Sequence, residues 1–506
     1  MLIKAIAGVN IGITPQLVNV EVDVASYGLP SFTIVGLPDK AIDEAKDRVR
    51  TAVRNSGFDF PPKKITVNLA PADLPKEGPH FDLPIALGIL IASGQVDITL
   101  DDLMILGELS LDGSLRRTHG VLPLTILARK KKFKKILVPV ENGDEAAIVG
   151  GIEVYALKSL VEAVQFLSGE VKIDPRPKID FSAFEDTAIY DYDFSQVRGQ
   201  EQAKRALEIS ASGGHNVLMK GPPGSGKTML ARSFPSILPP LTEEESIELT
   251  QIYSVTGNLS DDKPVVVTRP FRSPHHTASY VGLIGGGNNI KPGEISLAHR
   301  GVLFLDELPE FPRSVLEALR QPLEDKKVTI SRASGTHSYP TQFILLAACN
   351  PCPCGYLNTP EKTCVCLPGQ ISKYTKKLSG PFLDRVDIHL DVPNLPVEKL
   401  TNEMVSEDSK TIRFRVVNAR KIQKERFKEK GILTNSEMSN ALIKQFCQPD
   451  KEGLDLLKLA ISNLNLSARA YYRVLKLART IADLDEAPQI LQKHLAEALQ
   501  YRPKQV

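Results

Sequence analysis

A glycine-rich run near the middle of the chain carries residue types that bind phosphate groups. It reads GPPGSGKT and consists of Gly221, Pro222, Pro223, Gly224, Ser225, Gly226, Lys227 and Thr228. This is the pattern G-x-x-x-x-G-K-[ST] of a phosphate-binding loop. A short apolar run precedes it and a run that can form a helix follows it, which is the strand–loop–helix context that the pattern requires. A glycine- and proline-rich turn without a ligand fits this context poorly.

The chemistry expected of this loop follows from its residue types. Glycines let backbone N–H groups turn inward around phosphate oxygens, and the start of the following helix adds the positive end of its dipole. We expect Lys227 to reach the β- and γ-phosphates of a nucleotide and the Thr228 hydroxyl to ligate Mg²⁺.

A second segment supplies two carboxylates. Residues 301–307 read GVLFLDE, an apolar run that ends in Asp306 and Glu307. A buried parallel strand is typically a continuous apolar run, and ligands bind at the carboxyl ends of such strands. We therefore expect Asp306 to hold Mg²⁺ through water and Glu307 to polarise the attacking water. A plain strand end is the weaker alternative at this distance from a phosphate loop.

The cysteines are strongly clustered. Five of the six lie between Cys349 and Cys366, and Cys447 stands alone. In a reducing compartment such crowding favours a metal over disulfides. The two C-x-C pairs can form a tetrahedral Zn²⁺ site, although a redox role or simple burial remains open; they are Cys352 with Cys354 and Cys364 with Cys366. Cys349 ends an apolar run and is expected to point into the core.

Composition limits the class of protein. With 506 residues the chain exceeds one compact core, so about three domains are expected. The net charge of +2 predicts no global field for nucleic acid or membrane, so a DNA site must be a local patch. No signal-peptide layout and no membrane-spanning apolar run are present, which indicates the cytoplasm and no membrane partner.

The chain shows three compositional regions joined by a linker. Strand-like and helical stretches alternate in residues 1–170, a proline-rich acidic linker follows at 171–196, and residues 197–400 contain the motifs above. Residues 401–506 read as wholly helical. In the first region the patterns predict two helices, at 39–56 and 83–93, and three strands, at 18–24, 65–69 and 136–138.

Five segments occur together in the order typical of one family. They are GPPGSGKT, GVLFLDE, CNPCPCG, SGPFLDRVDIH and LSARAYYRVLKLARTIADL. In this combination, over essentially its whole length, the chain resembles magnesium-chelatase-like AAA+ ATPases of the ComM/YifB type. The resemblance implies an α/β fold, with an AAA+ P-loop NTPase core at 197–400 that uses ATP and Mg²⁺. It also implies a Lon-protease-like α+β domain at 1–170 and a helical lid at 401–506.

The resemblance assigns roles to further residues. Asn350 is similar to the sensor that positions the lytic water. Arg385 resembles an arginine finger, which a neighbouring subunit inserts to neutralise charge on the γ-phosphate, and this implies a homo-hexameric ring. Arg469 resembles a second sensor cation. Considered as residues alone, Arg385 and Arg469 fit ordinary surface ion pairs equally well.

Two inserts are typical of this family. Residues 273–294 form a glycine-rich loop, in which we interpret His275 and His276 as structural residues. Residues 326–340 predict a β-hairpin, which in related ring motors grips nucleic acid. By that resemblance Lys326, Lys327 and Arg332 are expected to pair with DNA phosphates. The basic run 129–135 is the alternative DNA site, although such a run is usually a solvated helix end.

The N-terminal region departs from the protease pattern that it resembles. His80 follows Gly78 and Pro79 where Lon-type proteases have serine, and Pro123 stands where they have the catalytic lysine. A Ser–Lys dyad needs both groups, so we expect a binding domain without peptidase activity.

Taken together, the motifs and the family resemblance favour one function over two others. The resemblance implies an ATP-driven hexameric DNA motor that performs branch migration in homologous recombination during natural transformation, with recombination proteins as partners. A motor subunit of a metal-chelatase complex is the alternative. An ATP-dependent protease is disfavoured by the missing dyad.

Overall fold

The computed structural model describes residues 1–181, 190–260, 263–287, 290–332, 335–359, 362–394, 406–463 and 466–503. The predicted linker 171–196 and the predicted boundary at 400–401 therefore lie partly outside the described residues. Within the described ranges, no helix combines the length and the apolar character that crossing a lipid bilayer requires.

Strands and helices alternate along the chain, which confirms the α/β class. In chain order the strands are β1 (Leu2–Ile11), β2 (Thr14–Val24), β3 (Ser31–Val35), β4 (Lys64–Ala70), β5 (Leu103–Ile105), β6 (Glu108–Leu109), β7 (Leu115–Arg116), β8 (Lys135–Pro139), β9 (Glu153–Leu157), β10 (Val217–Lys220), β11 (Phe271–Arg272), β12 (Gly285–Gly286), β13 (Lys291–Pro292), β14 (Val302–Leu305), β15 (Lys327–Arg332), β16 (Gly335–Pro340), β17 (Ile344–Cys349) and β18 (Ile388–Asp391). The helices are α1 (Lys40–Asn55), α2 (Asp82–Ala92), α3 (Val121–Lys130), α4 (Gly143–Ala147), α5 (Leu160–Leu167), α6 (Glu201–Gly213), α7 (Lys227–Ser233), α8 (Glu243–Thr256), α9 (Tyr280–Ile284), α10 (Glu294–Leu297), α11 (Arg313–Ala318), α12 (Arg320–Asp325), α13 (Pro368–Thr375), α14 (Gly380–Leu383), α15 (Ser409–Arg426), α16 (Asn440–Phe446), α17 (Lys451–Asn463), α18 (Ala468–Leu484) and α19 (Gln492–Gln500).

The chain forms two compact units, each assembled from separate stretches of sequence. The first combines Met1–Asp186 with Thr242–Val267 and Thr329–Tyr339. The second combines Thr187–Leu241, Thr268–Val328 and Pro340–Val506. Two segments that lie between the nucleotide-binding motifs in sequence are therefore built into the first unit. The sequence predicts domains that are continuous in sequence, with boundaries at 170, 196 and 400, and these boundaries stay a prediction.

A mixed sheet forms the centre of the first unit. Its strand order is β3-β4-β2-β1-β5-β8-β9, with β1 and β2 paired antiparallel along their whole lengths. The predicted alternation in β2 is confirmed, because Val18, Val20 and Val22 are fully buried. Helix α2 is buried at every position, and α1 begins where the Asp39 carboxylate accepts a hydrogen bond from the backbone N–H of Ile42. These helices confirm the two predicted at 39–56 and 83–93.

Helix α8 is held in the first unit by a buried carboxylate. The Ser254 hydroxyl donates to Glu145 Oε1 at 2.5 Å, and the backbone N–H of Leu122 donates to the same oxygen at 3.0 Å. Asn142 donates to the other oxygen, Oε2, at 3.0 Å. Because a buried carboxylate is stable only when its oxygens accept hydrogen bonds, this network fixes α8 against α3 and α4.

The predicted hairpin of 326–340 is confirmed as β15 and β16, and its residues 329–339 belong to the first unit. Tyr339 is fully buried there. It packs at the turn between β1 and β2, where Gly12 has φ +65° and a Cβ would lie 3.1 Å from the tyrosine hydroxyl. The positive φ and the close approach of Tyr339 therefore both favour glycine at the β1–β2 turn.

A parallel five-stranded sheet forms the second unit, in the order β11-β14-β17-β10-β18. Strands β10, β14 and β17 are short and almost wholly buried, as their continuous apolar sequences predict. Because all of them are parallel, their carboxyl ends meet at one edge, where three of the predicted motifs begin.

Helices α15 to α19 complete the second unit, which confirms the predicted helical character for the described part of the C-terminal region. Arg473 of α18 donates to Asp387, next to β18, at 2.9 Å. Burial alone would raise the pKa of Asp387, but Arg473, the nearby His215 ring and a hydrogen bond from the Asn216 backbone N–H hold it well below its usual range. This charged contact joins the helical lid to the sheet.

Candidate functional site

The phosphate loop connects β10 to α7, as predicted. Gly224 and Gly226 have φ of +79° and +90°, values that favour glycine and turn the loop back over the start of the helix. The buried Lys227 ammonium donates to the carbonyl oxygens of Gly221 at 2.8 Å and Pro222 at 2.7 Å. Burial lowers the pKa of Lys227, and the nearby Asp306 carboxylate opposes that shift. The loop thus holds one cation at its centre.

The carboxyl end of β14 brings two acids to this loop. The Thr228 hydroxyl donates to Asp306 Oδ2 at 2.9 Å, which places both predicted Mg²⁺ ligands side by side. The backbone N–H of Glu307 donates to the other oxygen of Asp306, also at 2.9 Å. Glu307 has φ +50°, a left-handed conformation that turns the chain sharply after the strand.

Asn350 reaches the same place from β17, which lies between β10 and β14. Its Oδ1 accepts from the Lys227 ammonium at 3.4 Å. The structure therefore gathers Lys227, Thr228, Asp306 and Asn350 at one sheet edge, although they span more than a hundred residues of sequence.

Glu307 has a partner that the sequence did not indicate. His276 Nδ1 lies 3.4 Å from Glu307 Oε2, and the ring is packed beside His275 and edge-on to Phe311. The adjacent spacing of His275 and His276 predicts structural residues, and the structure adds this contact of His276 with Glu307. No local motif points to this contact, since it joins the glycine-rich insert to the end of a distant strand.

Arg385 and Arg469 share one carboxylate, that of Glu324. Arg385 Nη2 lies 2.6 Å from Glu324 Oε2, and Arg469 Nη2 lies 3.2 Å from Oε1. Arg385 is nearly buried and also donates from Nε to the carbonyl of Arg320 at 3.0 Å. Among the described residues, neither arginine hydrogen-bonds to the phosphate loop. Glu324 was missed from the sequence because a single acid at the end of a helix carries no motif.

The three residues predicted to contact DNA occupy different environments. Lys326 is half-buried, with φ +56°, where α12 ends. Burial lowers its pKa, and the carboxylates of Glu437 and Asp387 oppose that shift. Lys327 is exposed at the start of β15. The backbone of Arg332 ends that strand, and its side chain lies outside the described residues.

The four cysteines of the two C-x-C pairs converge. The sulfur of Cys352 lies 3.4 Å from that of Cys354 and 3.7 Å from that of Cys364, and the latter two are 3.6 Å apart. The Cys366 sulfur completes the group, with all four within 4.8 Å of one another. Tetrahedral zinc with Zn–S bonds of about 2.3 Å sets sulfurs about 3.8 Å apart, so the donor set fits Zn²⁺. Buried Cys349 lies outside this group, and burial raises the pKa of its thiol to about 11.

The cysteine cluster lies against the phosphate loop. Gly355 has φ +85°, and a Cβ there would lie 2.5 Å from Pro223 Cδ. Cys352 also follows Asn350 by only two residues. Any metal that orders the cluster would therefore stabilise the position of the loop and of Asn350.

The two positions compared with the protease dyad, His80 and Pro123, are enclosed in the first unit. His80 is buried, and its Nε2 hydrogen-bonds to the Gly8 carbonyl oxygen at 2.7 Å. Burial lowers the pKa of His80 to about 4, although the Gly8 hydrogen bond and Asp39 oppose that shift. Pro123 is buried in α3. Neither residue offers an accessible nucleophile or base.

Family comparisons cover most of the chain. The family described as "Magnesium chelatase, subunit ChlI" matches residues 193–400, "Subunit ChlI of Mg-chelatase" matches 20–142, and "Magnesium chelatase, subunit ChlI C-terminal" matches 406–502. Competence protein ComM of Haemophilus influenzae is 47% identical over 497 residues, which is 97% of this chain and 96% of ComM. The uncharacterized protein YifB is 45% identical in Escherichia coli over 494 residues (97% and 95%). In Salmonella typhimurium it is 43% identical over 495 residues (97% and 95%).

The buried His80 predicts an acid-sensitive first unit. The pKa of His80 in the folded protein is about 4, below the ordinary value of about 6.5. The unfolded chain therefore binds a proton more readily, so stability is full above about pH 6.5 and falls as the pH decreases toward 4. We expect this effect of His80 to lower the free energy of unfolding by about 2 kcal/mol between pH 7 and pH 5. His80→Gln keeps an N–H donor without a titrating group, so its melting temperature should fall less over this interval. Parallel curves of melting temperature against pH for the two proteins would contradict this assignment.

Proposed function

Because the chain belongs to the magnesium-chelatase-like AAA+ family of the ComM/YifB type, we propose that it is an ATP-driven, hexameric DNA motor. The motor would act in homologous recombination during natural transformation, in the cytoplasm and together with recombination proteins. The word competence in the name of its relative ComM supports this setting.

The observation that carries the proposal is the convergence of five polar side chains at one edge of the parallel sheet. The reaction would cleave the terminal phosphoanhydride of ATP, and a Mg²⁺ ion held by Thr228 and Asp306 would supply positive charge to the phosphate oxygens. Lys227 would neutralise charge on the β- and γ-phosphates. Glu307 accepts a hydrogen bond from the attacking water and turns it toward the γ-phosphate, and Asn350 orients that water.

Two internal contacts of this site oppose hydrolysis in the isolated chain. His276 contacts the Glu307 carboxylate, and Glu324 forms an ion pair with Arg385. An arginine finger acts on the nucleotide of a neighbouring subunit, so Arg385 has to exchange Glu324 for phosphate charge. A ring that forms around DNA would supply that exchange, which is why we favour a motor whose hydrolysis depends on DNA and assembly.

A motor subunit of a metal-insertion complex is the second candidate. The observation in its favour is that all three matching families are named after magnesium chelatase. Such a motor also hydrolyses ATP but has no reason to respond to DNA. An ATP-dependent protease is disfavoured by the enclosed His80 and the buried Pro123.

ATP hydrolysis measured with and without DNA separates these functions. We expect single-stranded, duplex or forked DNA to raise the rate several-fold, and Glu307→Gln to bind ATP yet hydrolyse it about 10²–10⁴-fold more slowly, because the water loses its acceptor. Nucleotide binding is followed with a fluorescent ATP analogue. A rate that no DNA structure changes would favour the chelatase, and parental hydrolysis by Glu307→Gln would disprove the assignment of the site.

Mixing two inactive variants tests whether Arg385 acts between subunits. Arg385→Ala should bind ATP without hydrolysing it, and Lys227→Ala should bind ATP weakly. Mixed rings contain interfaces with one intact loop and one intact finger, so part of the activity should return. The matched control mixes Lys227→Ala with Glu307→Gln, which damage the same half of the site and should recover nothing. Equal recovery in both mixtures, or none in either, would contradict a role between subunits.

The cysteine cluster should hold about one zinc ion per chain as a closed structural site. Elemental analysis of protein prepared without chelators measures it. Cys364→Ser/Cys366→Ser should lose the metal and weaken nucleotide binding, since the cluster packs on Pro223, whereas Cys447→Ser should retain both properties. Zinc-free parental protein, or full metal retention in the double variant, would refute the site.

A further inference from the structure

A basic pocket lies immediately beyond the catalytic strand end. It has a volume of about 740 Å³ and is formed by the segment Pro309–Arg313, which follows Glu307, and by helix α13 with the two residues after it. Its cationic lining residues are Arg313, Lys373, Lys376 and Lys377. None of the motifs that predicted the nucleotide site includes these four residues.

The positive charge of the pocket is largely uncompensated. Lys377 Nζ pairs with Glu310 Oε2, the acid in the lining, at 3.0 Å. Arg313, Lys373 and Lys376 are exposed, and within the described part of the chain they form no ion pair. Four cations against one carboxylate leave a net charge of +3 at this surface (4 − 1). Exposed charge of one sign, on a chain whose total is only +2, attracts a polyanion.

The backbone of the pocket also favours an anion. Gly369, at the first turn of α13, lines the pocket, and a Cβ at this position would meet nothing within 4 Å. Pro368 has no N–H, and the N–H groups of Gln370 and Ile371 donate to the Leu367 carbonyl. The Gly369 N–H and the positive end of the helix dipole therefore face the pocket. A phosphate can therefore approach the backbone here, while Lys373 of the helix and the lysines that follow it contact the neighbouring phosphates.

A chain of side-chain contacts links the pocket to Glu307. Phe311, another lining residue, lies edge-on to the His276 ring, with the ring centres 6.5 Å apart, and His276 is the partner of Glu307. A ligand that binds the turn 309–313 can therefore displace His276 from the Glu307 carboxylate.

We propose that this pocket is a second DNA-contact site, which binds the phosphodiester backbone of a strand without reading its bases and adjusts the turn behind Glu307. The inference rests on the proposed DNA motor function and adds to the contacts expected from Lys326, Lys327 and Arg332. Sequence-independent binding follows from the lining, since flexible lysines recognise phosphate charge rather than base edges.

The test measures how DNA affinity depends on salt. The full chain is titrated with a fluorescein-labelled oligothymidine over a series of salt concentrations. Replacement of Arg313, Lys373 and Lys376 by Gln should flatten the slope of log K against log salt by about 2, because each single-strand phosphate contact contributes about 0.7. The matched control replaces Lys421, Lys424 and Lys428, exposed lysines at the end of α15, and should leave the slope unchanged.

The outcomes distinguish this inference from the proposed function. Lys373→Gln alone should flatten the slope by about one third of the triple change, which guards against a folding defect in the triple variant. If the parental chain binds no DNA, the motor function and the pocket fail together. If it binds DNA and the triple variant keeps the parental slope, only the pocket is refuted. Loss of the ring with an unchanged slope would likewise overturn the proposal and assign the surface to contact between copies of this chain.

Discussion

The parallel pairing of β10, β17 and β14 is the constraint on which the nucleotide site depends. Each strand is four to six residues long and buried, and each ends in a polar motif. Since parallel strands in register end at one edge, the phosphate loop, Asn350 and the acid pair meet there without long side chains. The hydrogen bond from Thr228 to Asp306 links the outer two strands across the central one.

The site is held by internal partners that resemble its expected ligands. Lys227 binds carbonyl oxygens where phosphate oxygens are expected, and Glu324 supplies negative charge to two arginines. These contacts reduce the cost of burying charge before a nucleotide binds. A ligand that binds Lys227, Arg385 or Arg469 must therefore replace a partner within the chain.

Two segments of the first unit interrupt the sequence of the nucleotide-binding sheet. Helix α8 and most of the β15–β16 hairpin belong to the first unit, although both are encoded between strands of the nucleotide-binding sheet. The first unit thus contains segments that lie between the nucleotide-binding motifs in sequence. Both segments are covalently continuous with the strands that precede Asp306 and Asn350.

The sequence by itself determined the features whose chemistry is local. The phosphate loop, the apolar run that ends in Asp306 and Glu307, the two C-x-C pairs and helix α1 are each specified by residues within one short stretch, because backbone geometry and ligand spacing act over a few positions. Only the tertiary structure placed Glu324 between Arg385 and Arg469, and His276 beside Glu307. It alone built α8 into the first unit and gathered four cations beyond the catalytic strand. Those contacts join residues far apart in the chain, and they depend on strand order and helix packing, which no local pattern encodes.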